Sequence, residues 1–281
     1  MTYERRVDRQ HPGCLIFLVD QSESMSQPLR GTPIPKSAAL ADQLNSLIYE
    51  LIQRCTKSLT EPPRPYFALS VIGYCTADDG DPVVRSVLPG DTGQQDLAWT
   101  SELANAPRRM EERVRPVEEG GQRYVFPVWV EPLATGGTPV CAAINRAGRL
   151  ARQWLERYPE AFPPIVINFS DGESTDGDPR VWATRLRSLH STDGSVLFFN
   201  LDLTSTQSSP VLFADRPDKS WSPFTCLMFE MSSELPEMML AAARAHGFQV
   251  SERARGFGSN ADFRSVVSFL NVGTSIGRLM R

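Results

Sequence analysis

Six consecutive apolar residues, Cys14-Leu15-Ile16-Phe17-Leu18-Val19, end on Asp20-Gln21-Ser22-Glu23-Ser24, and nothing else in the chain limits its fold as tightly. A run without polar alternation is a strand buried on both faces, as in the middle of a parallel sheet covered by helices. Such a strand delivers the next residues to its carboxyl end, where open α/β sheets bind ligands. Asp20, Ser22 and Ser24 stand at alternate positions, so in an extended loop their oxygens project to one side. One carboxylate with two neutral hydroxyls is a hard-cation donor set, suited to Mg2+ or Mn2+ and poorly suited to zinc or copper. The same residues also read as a polar turn with Ser24 capping the next helix, and locally both readings stay open.

The rest of the chain repeats this grammar. Gln27 to Pro35 is too rich in proline and glycine for a helix, whereas Ala39, Leu40, Leu44, Leu47, Ile48, Leu51 and Ile52 predict one over Lys36–Arg54. A buried strand follows over Tyr66–Tyr74. The turn Asp78-Asp79-Gly80-Asp81-Pro82, better read as turn chemistry than as a cation site, leads to a strand over Val83–Leu88 that should pair antiparallel. Thr135-Gly136-Gly137-Thr138-Pro139 predicts a tight loop entering a helix whose first residue is Pro139 and whose stripe runs from Val140 to Trp154. The strand Ile165-Val166-Ile167-Asn168-Phe169-Ser170 again ends on an acid, Asp171. A helix over Pro179–His190, a strand over Val196–Leu203 and a mobile polar loop over Thr204–Ser222 come next. The expected end is a short strand over Thr225–Glu230, a helix over Leu235–His246 with Gly247 beyond it, and a helix over Ala261–Leu270.

This alternation predicts an α/β fold: a doubly wound, mostly parallel central sheet with helices on both faces and one antiparallel edge strand. The expected organisation is one domain over 12–275, an N-terminal extension over 1–11 and a tail over 276–281. An insertion over 89–132 exceeds an ordinary connection. It reads as partly helical from Gln94 to Arg115, a turn at 118–121, and a strand from Arg123 to Val130. Within it Arg108, Arg109, Arg113 and Arg115 are interleaved with Glu111, Glu112, Glu118 and Glu119, which reads as a solvated helix face.

The formal charge of -4, from 29 basic and 33 acidic residues without long single-sign runs, argues against nucleic acid or an anionic membrane as partner. Five cysteines without a C-x-x-C pair, mostly in apolar segments, read as reduced core thiols of a cytoplasmic protein. No segment has the apolar length of a signal or membrane span. His11, His190 and His246 stand far apart with no visible nucleophile partner. Neither a P-loop nor a dinucleotide fingerprint is present. Asp171 to Asp178 lacks the ligand spacing of a calcium loop, so its later acids read as loop and capping residues.

In a doubly wound sheet the loops carrying Asp20, Ser22 and Ser24, Thr138, and Asp171 share one edge. Two carboxylates and three hydroxyls can close on one octahedral Mg2+ and leave a position open, and the cation offsets the repulsion of the paired acids. This D-x-S-x-S, T, D set resembles the metal-ion-dependent adhesion site of the von Willebrand factor type A (VWA) fold, over Pro12 to Leu270. The resemblance implies that Ser22, Ser24 and Thr138 bind Mg2+ directly, with Mn2+ or Ca2+ as substitutes, and Asp20 and Asp171 directly or through water. It also implies that a partner protein's carboxylate takes the open position, and that the chain is a binding module and not an enzyme.

The loop Gly31-Thr32-Pro33-Ile34-Pro35-Lys36 and the turn Ser259-Asn260-Ala261-Asp262-Phe263 are similar to those of bacterial cytosolic VWA proteins of tellurium resistance and stress. That likeness implies a kinase or a PP2C-type phosphatase as partner. The chain departs from the family pattern in the long segment before Thr138. Two other functions compete: a phosphotransfer enzyme with Asp20 as nucleophile, and a structural subunit of a larger complex. A haloacid-dehalogenase-like phosphatase would want an acid where Ser22 stands, and no general base accompanies Asp20.

Overall fold

The computed structural model describes residues 2–58, 60–89, 96–114, 121–204 and 209–275. The opening apolar run forms β1 (Gly13–Asp20), every residue of which is buried. It lies between two parallel neighbours, β2 (Phe67–Thr76), in register from Gly13 opposite Phe67, and the strand over Ile165–Ser170, in register from Leu15 opposite Ile165. Because side chains alternate across a strand, β1 serves two cores. Leu15, Phe17 and Val19 join one cluster with Leu44, Ile48 and Leu51 of α1 (Lys36–Cys55); Cys14, Ile16 and Leu18 join another with Ile144, Ala147 and Trp154 further on. Emptying either side chain position would be costly: Ile or Phe to Ala in such a core loses about 2–5 kcal/mol.

Along the chain the elements after β2 are β3 (Pro82–Ser86), β4 (Ala98–Trp99), the one-turn α2 (Thr100–Leu103), β5 (Arg109–Val114) and β6 (Arg123–Val128). Then come α3 (Val140–Arg157), β7 (Ile165–Ser170), α4 (Arg180–Ser188), β8 (Leu197–Asp202) and β9 (Val211–Leu212). The chain closes with α5 (Pro223–Met231), α6 (Glu237–Ala245), β10 (Phe257–Ser259) and α7 (Phe263–Gly273). The main sheet has the order β3-β2-β1-β7-β8-β10-β9, with β4 also paired to β2. β2, β1, β7, β8 and β10 are parallel. Helices α1, α6 and α7 cover one face, and α3, α4 and α5 the other. This is the doubly wound α/β architecture expected from the sequence. Its chain order reverses between β1 and β7, which places the crevice of a doubly wound sheet at their carboxyl ends.

Several elements differ from expectation. The antiparallel edge strand is β3, but β4 and β9 are antiparallel as well. The segment expected as partly helical from Gln94 to Arg115 carries β4, the single turn α2 and β5, and β5 pairs with β6 as a separate hairpin, Arg109 opposite Val128. Arg109, Glu111, Glu112 and Arg113 therefore lie on a strand and not on a helix, while Arg115, Glu118 and Glu119 fall outside the described residues; Arg109 binds Glu111 and Glu131, and Arg113 binds Glu111 and Asp42 of α1. The turn at 118–121 falls mostly outside the described residues. Asn45 of α1 holds the hairpin's exit: its Oδ1 accepts Trp129 and Val130 N–H at 2.8 and 2.9 Å, and its Nδ2 donates to Val130 O.

Thr225–Glu230, expected as a strand, lies in α5, because Ser222 caps the Thr225 N–H and Pro223 takes the first helical position. The loop expected over Thr204–Ser222 contains β9, and the expected sequence of strands had no β10, whose three residues are too short to show a period. Pro139 is the N-cap of α3 and not its first residue. All five cysteines are free, and four of them are buried. Among the described residues no helix is long and apolar enough to cross a membrane.

Candidate functional site

The loops at the ends of β1 and β7, and the loop entering α3, are sewn together by backbone before any side chain acts. Gln21 N donates to Tyr74 O, Thr135 N to Gln21 O, Glu23 N to Gly136 O, and Thr175 N to Thr138 O. Gly136 has φ +66, and a Cβ there would lie 2.2 Å from Thr76 O, so this crossing admits only glycine. The residues after Asp20 are not extended throughout: Glu23–Ser26 forms one 3-10 turn with Ser22 at its N-cap position. The alternation from Asp20 to Ser24 thus holds in sequence while the backbone curls. The turn nonetheless leaves the Ser24 hydroxyl within hydrogen-bond distance of the Ser22 hydroxyl. Neither serine caps the turn: Ser22 makes no side-chain cap bond.

Four of the five residues singled out from sequence form one hydrogen-bonded chain. Asp20 Oδ1 accepts Ser22 N–H at 2.8 Å, the Ser22 and Ser24 hydroxyls lie 3.0 Å apart, and Ser24 donates to Asp171 Oδ1 at 2.6 Å. Thr138 lies beside Gly172, the residue after Asp171: its N–H donates to Thr175 Oγ1, and its own hydroxyl lies 3.5 Å from where a Cβ on Gly172 would stand. That hydroxyl makes no hydrogen bond among the described residues, although Thr138 is buried. Tyr74, buried beneath the loops, donates to Asn168 Oδ1 and Phe169 O and underpins the ends of β2 and β7.

Two participants were not among the residues singled out from sequence. Ser170 donates to Asp20 Oδ2 at 2.6 Å, so both Asp20 oxygens are engaged. Lys36, the first residue of α1, places Nζ 2.7 Å from Asp171 Oδ2, with the lysine side chain 3% and the aspartate 1% exposed. An ammonium at a helix N-terminus opposes the helix dipole, and no acid occupies the first turn of α1 to offset it. That misfit, read from sequence, is the signal that could have found Lys36. Removing one partner of a buried ion pair costs about 3–5 kcal/mol, so Lys36 and Asp171 hold each other in place.

Burial pushes the Asp20 carboxyl up to about 6; hydrogen bonds from Ser170 and Ser22 act against this, and the Asp171 charge adds to it. Two oxygen-bearing acids, hydroxyls with spare lone pairs and a carboxyl short of positive charge suit a hard divalent cation. Among the described residues no group of three or more His, Cys, Asp or Glu could hold a metal, so any ion here would rest on mixed carboxylate and hydroxyl donors.

The remaining acids of the loop have structural partners. Asp176 accepts Cys141 and Ala142 N–H at 2.9 and 2.8 Å and thereby caps α3 from across the site, while Asp178 accepts Arg180 N–H at the start of α4. His11 lies before β1 beside Asp8 and Glu160, His190 just beyond α4, and His246 at the end of α6.

No family profile and no curated protein sequence matches the chain. Solved structures similar in fold include the pilus adhesin SpaC of Lactobacillus rhamnosus GG, 11% identical, with TM-score 0.52 over 97% of this chain and 31% of the adhesin. Proximal thread matrix protein 1 of the mussel byssus is 12% identical, with TM-score 0.47 over 97% of this chain and 49% of that one. Manganese-loaded Plasmodium vivax TRAP protein is 14% identical, with TM-score 0.41 over 94% of this chain and 73% of that one. The chain spans about half the length of the mussel protein and about a third of the adhesin. At such identities the likeness to SpaC is one of fold alone.

Proposed function

We propose that the chain is a VWA-type, divalent-metal-dependent protein-binding module in which Asp20, Ser22, Ser24, Thr138 and Asp171 hold Mg2+ and a partner's carboxylate completes its coordination. The observation that carries this reading is the continuous chain from Ser170 through Asp20, Ser22 and Ser24 to Asp171 at the sheet's switch point. Ser22, Ser24 and Thr138 would ligate through hydroxyl oxygens, and the two aspartates through one oxygen each or through water. The ion would supply a Lewis-acidic position for an anionic oxygen. Binding fits better than turnover, because both Asp20 oxygens are committed to Ser22 and Ser170 and no histidine stands near them as a base. The shared fold with an adhesin agrees with a role in binding. In this reading the partner is a protein such as the kinase or PP2C-type phosphatase that accompanies tellurium-resistance VWA proteins, and they meet in the cytoplasm.

Calorimetric titration of the purified chain with Mg2+ and Mn2+ tests the metal. Weak, saturable binding is expected from an open site that keeps several waters, and Asp20→Ala with Ser22→Ala should abolish it at unchanged circular dichroism. Absence of binding at millimolar metal, or tight zinc binding, refutes the ligand set.

A further inference from the structure

The site contains a cation of its own. Lys36 is buried, reaches Asp171 Oδ2 from the start of α1, and leaves Oδ1 turned toward Ser24 and the hydroxyl cluster. The two oxygens of one carboxylate thus face two different places: one the ammonium, the other the Ser24 and Ser22 hydroxyls. We propose that Lys36 is the resident counter-ion of the metal site, an inference that rests on the metal-binding reading above. It does three things there.

First, it keeps the acid pair assembled without metal, since the Asp171 charge is already paired and only Asp20 is left to repel it. Second, it lowers the affinity for a divalent cation, which must settle within a carboxylate's width of a fixed ammonium in a poorly screened setting. Third, it sets the charge of the loaded site. Two carboxylates, one ammonium and a dication leave one positive unit, which a single carboxylate of a partner neutralises and a phosphate dianion overshoots. A site without the lysine would be neutral when loaded and would attract an anion less. Lys36 is therefore a positioning and specificity-determining residue, whose carboxylate-specific role follows from the ion pair and its burial.

The test compares wild type, Lys36→Met, which keeps the aliphatic volume, and Lys36→Arg, which keeps the charge. Thermal unfolding is recorded in chelator and in Mg2+, and Mg2+ affinity is measured by calorimetry. Wild type and Lys36→Arg should melt at temperatures similar to each other in chelator, and again similar to each other, somewhat higher, in Mg2+. Lys36→Met should melt well below them in chelator, recover most of the loss in saturating Mg2+, and bind Mg2+ at least about tenfold more tightly. A merely structural lysine predicts the same loss of stability with and without Mg2+. Equal Mg2+ affinity in wild type and Lys36→Met, or a Lys36→Met chain that stays unfolded in saturating Mg2+, overturns the counter-ion role while leaving the metal site standing. Failure of all three proteins to bind Mg2+ overturns the metal reading and this inference together.

Discussion

Asp20 takes a hydrogen bond on each oxygen and still binds its proton more tightly than a free aspartate, because burial outweighs both bonds and Asp171 adds to the effect. The sign for stability follows from this. The ordinary value of 3.8 applies in the unfolded chain and about 6 in the folded one, so the folded state holds the extra proton between them. In chelator the Asp20 contribution is therefore most favourable in acid and declines as pH rises through this window, by about 3 kcal/mol. Asp20→Asn removes the titration. Urea unfolding of both proteins in chelator should show the variant gaining on wild type from pH 4 to pH 6.5, and a difference that stays flat would count against it. The five residues of the candidate site could be read from sequence because each follows an apolar strand or opens a helix. Ser170 could not, since it meets Asp20 across 150 residues and only the closed sheet brings those ends together; the misfit of Lys36 at a helix start was visible, but its partner lies 135 residues away.

At the scale of elements, the long helices and buried strands were legible because their apolar spacing repeats over several turns or fills a whole strand. Short or mixed segments were not. Thr225 to Met231 is apolar enough for either state, and the Ser222 cap decides for helix; the mixed arginines and glutamates of β5 satisfy a strand as readily as a solvated helix. Two loop positions deserve mutation. Gly136→Ala should cost more than about 2 kcal/mol, from the positive φ and from the approach of Thr76 O, and should also weaken Mg2+ binding by shifting Thr138. A variant as stable as wild type would mean that the crossing can open. Asp176→Ala removes the acceptor for two N–H groups of α3 and should lower stability by about 1–2 kcal/mol in urea unfolding, with Mg2+ affinity falling little. A larger effect on metal than on stability would make Asp176 a participant in the site.

Across the whole molecule, the free thiols offer a probe of opening. Cys226 is half-buried and should react with a thiol reagent in the native protein, whereas Cys14, Cys55, Cys75 and Cys141 are buried and should wait for unfolding. Cys14 sits in β1, the strand both cores share, so its labelling rate in increasing urea should follow global unfolding; early labelling would mean that β1 opens on its own. The sheet's borders have a consequence of another kind. A row of parallel strands ending in a long unpaired margin is a template on which further chains can stack. Here one margin is β9, only two residues long, and along the other β3 and β4 take up successive parts of β2 before a foreign strand could. Fibril growth from the native state is therefore disfavoured at both rims, and crowded expression should yield dispersed chains for as long as those short strands stay docked.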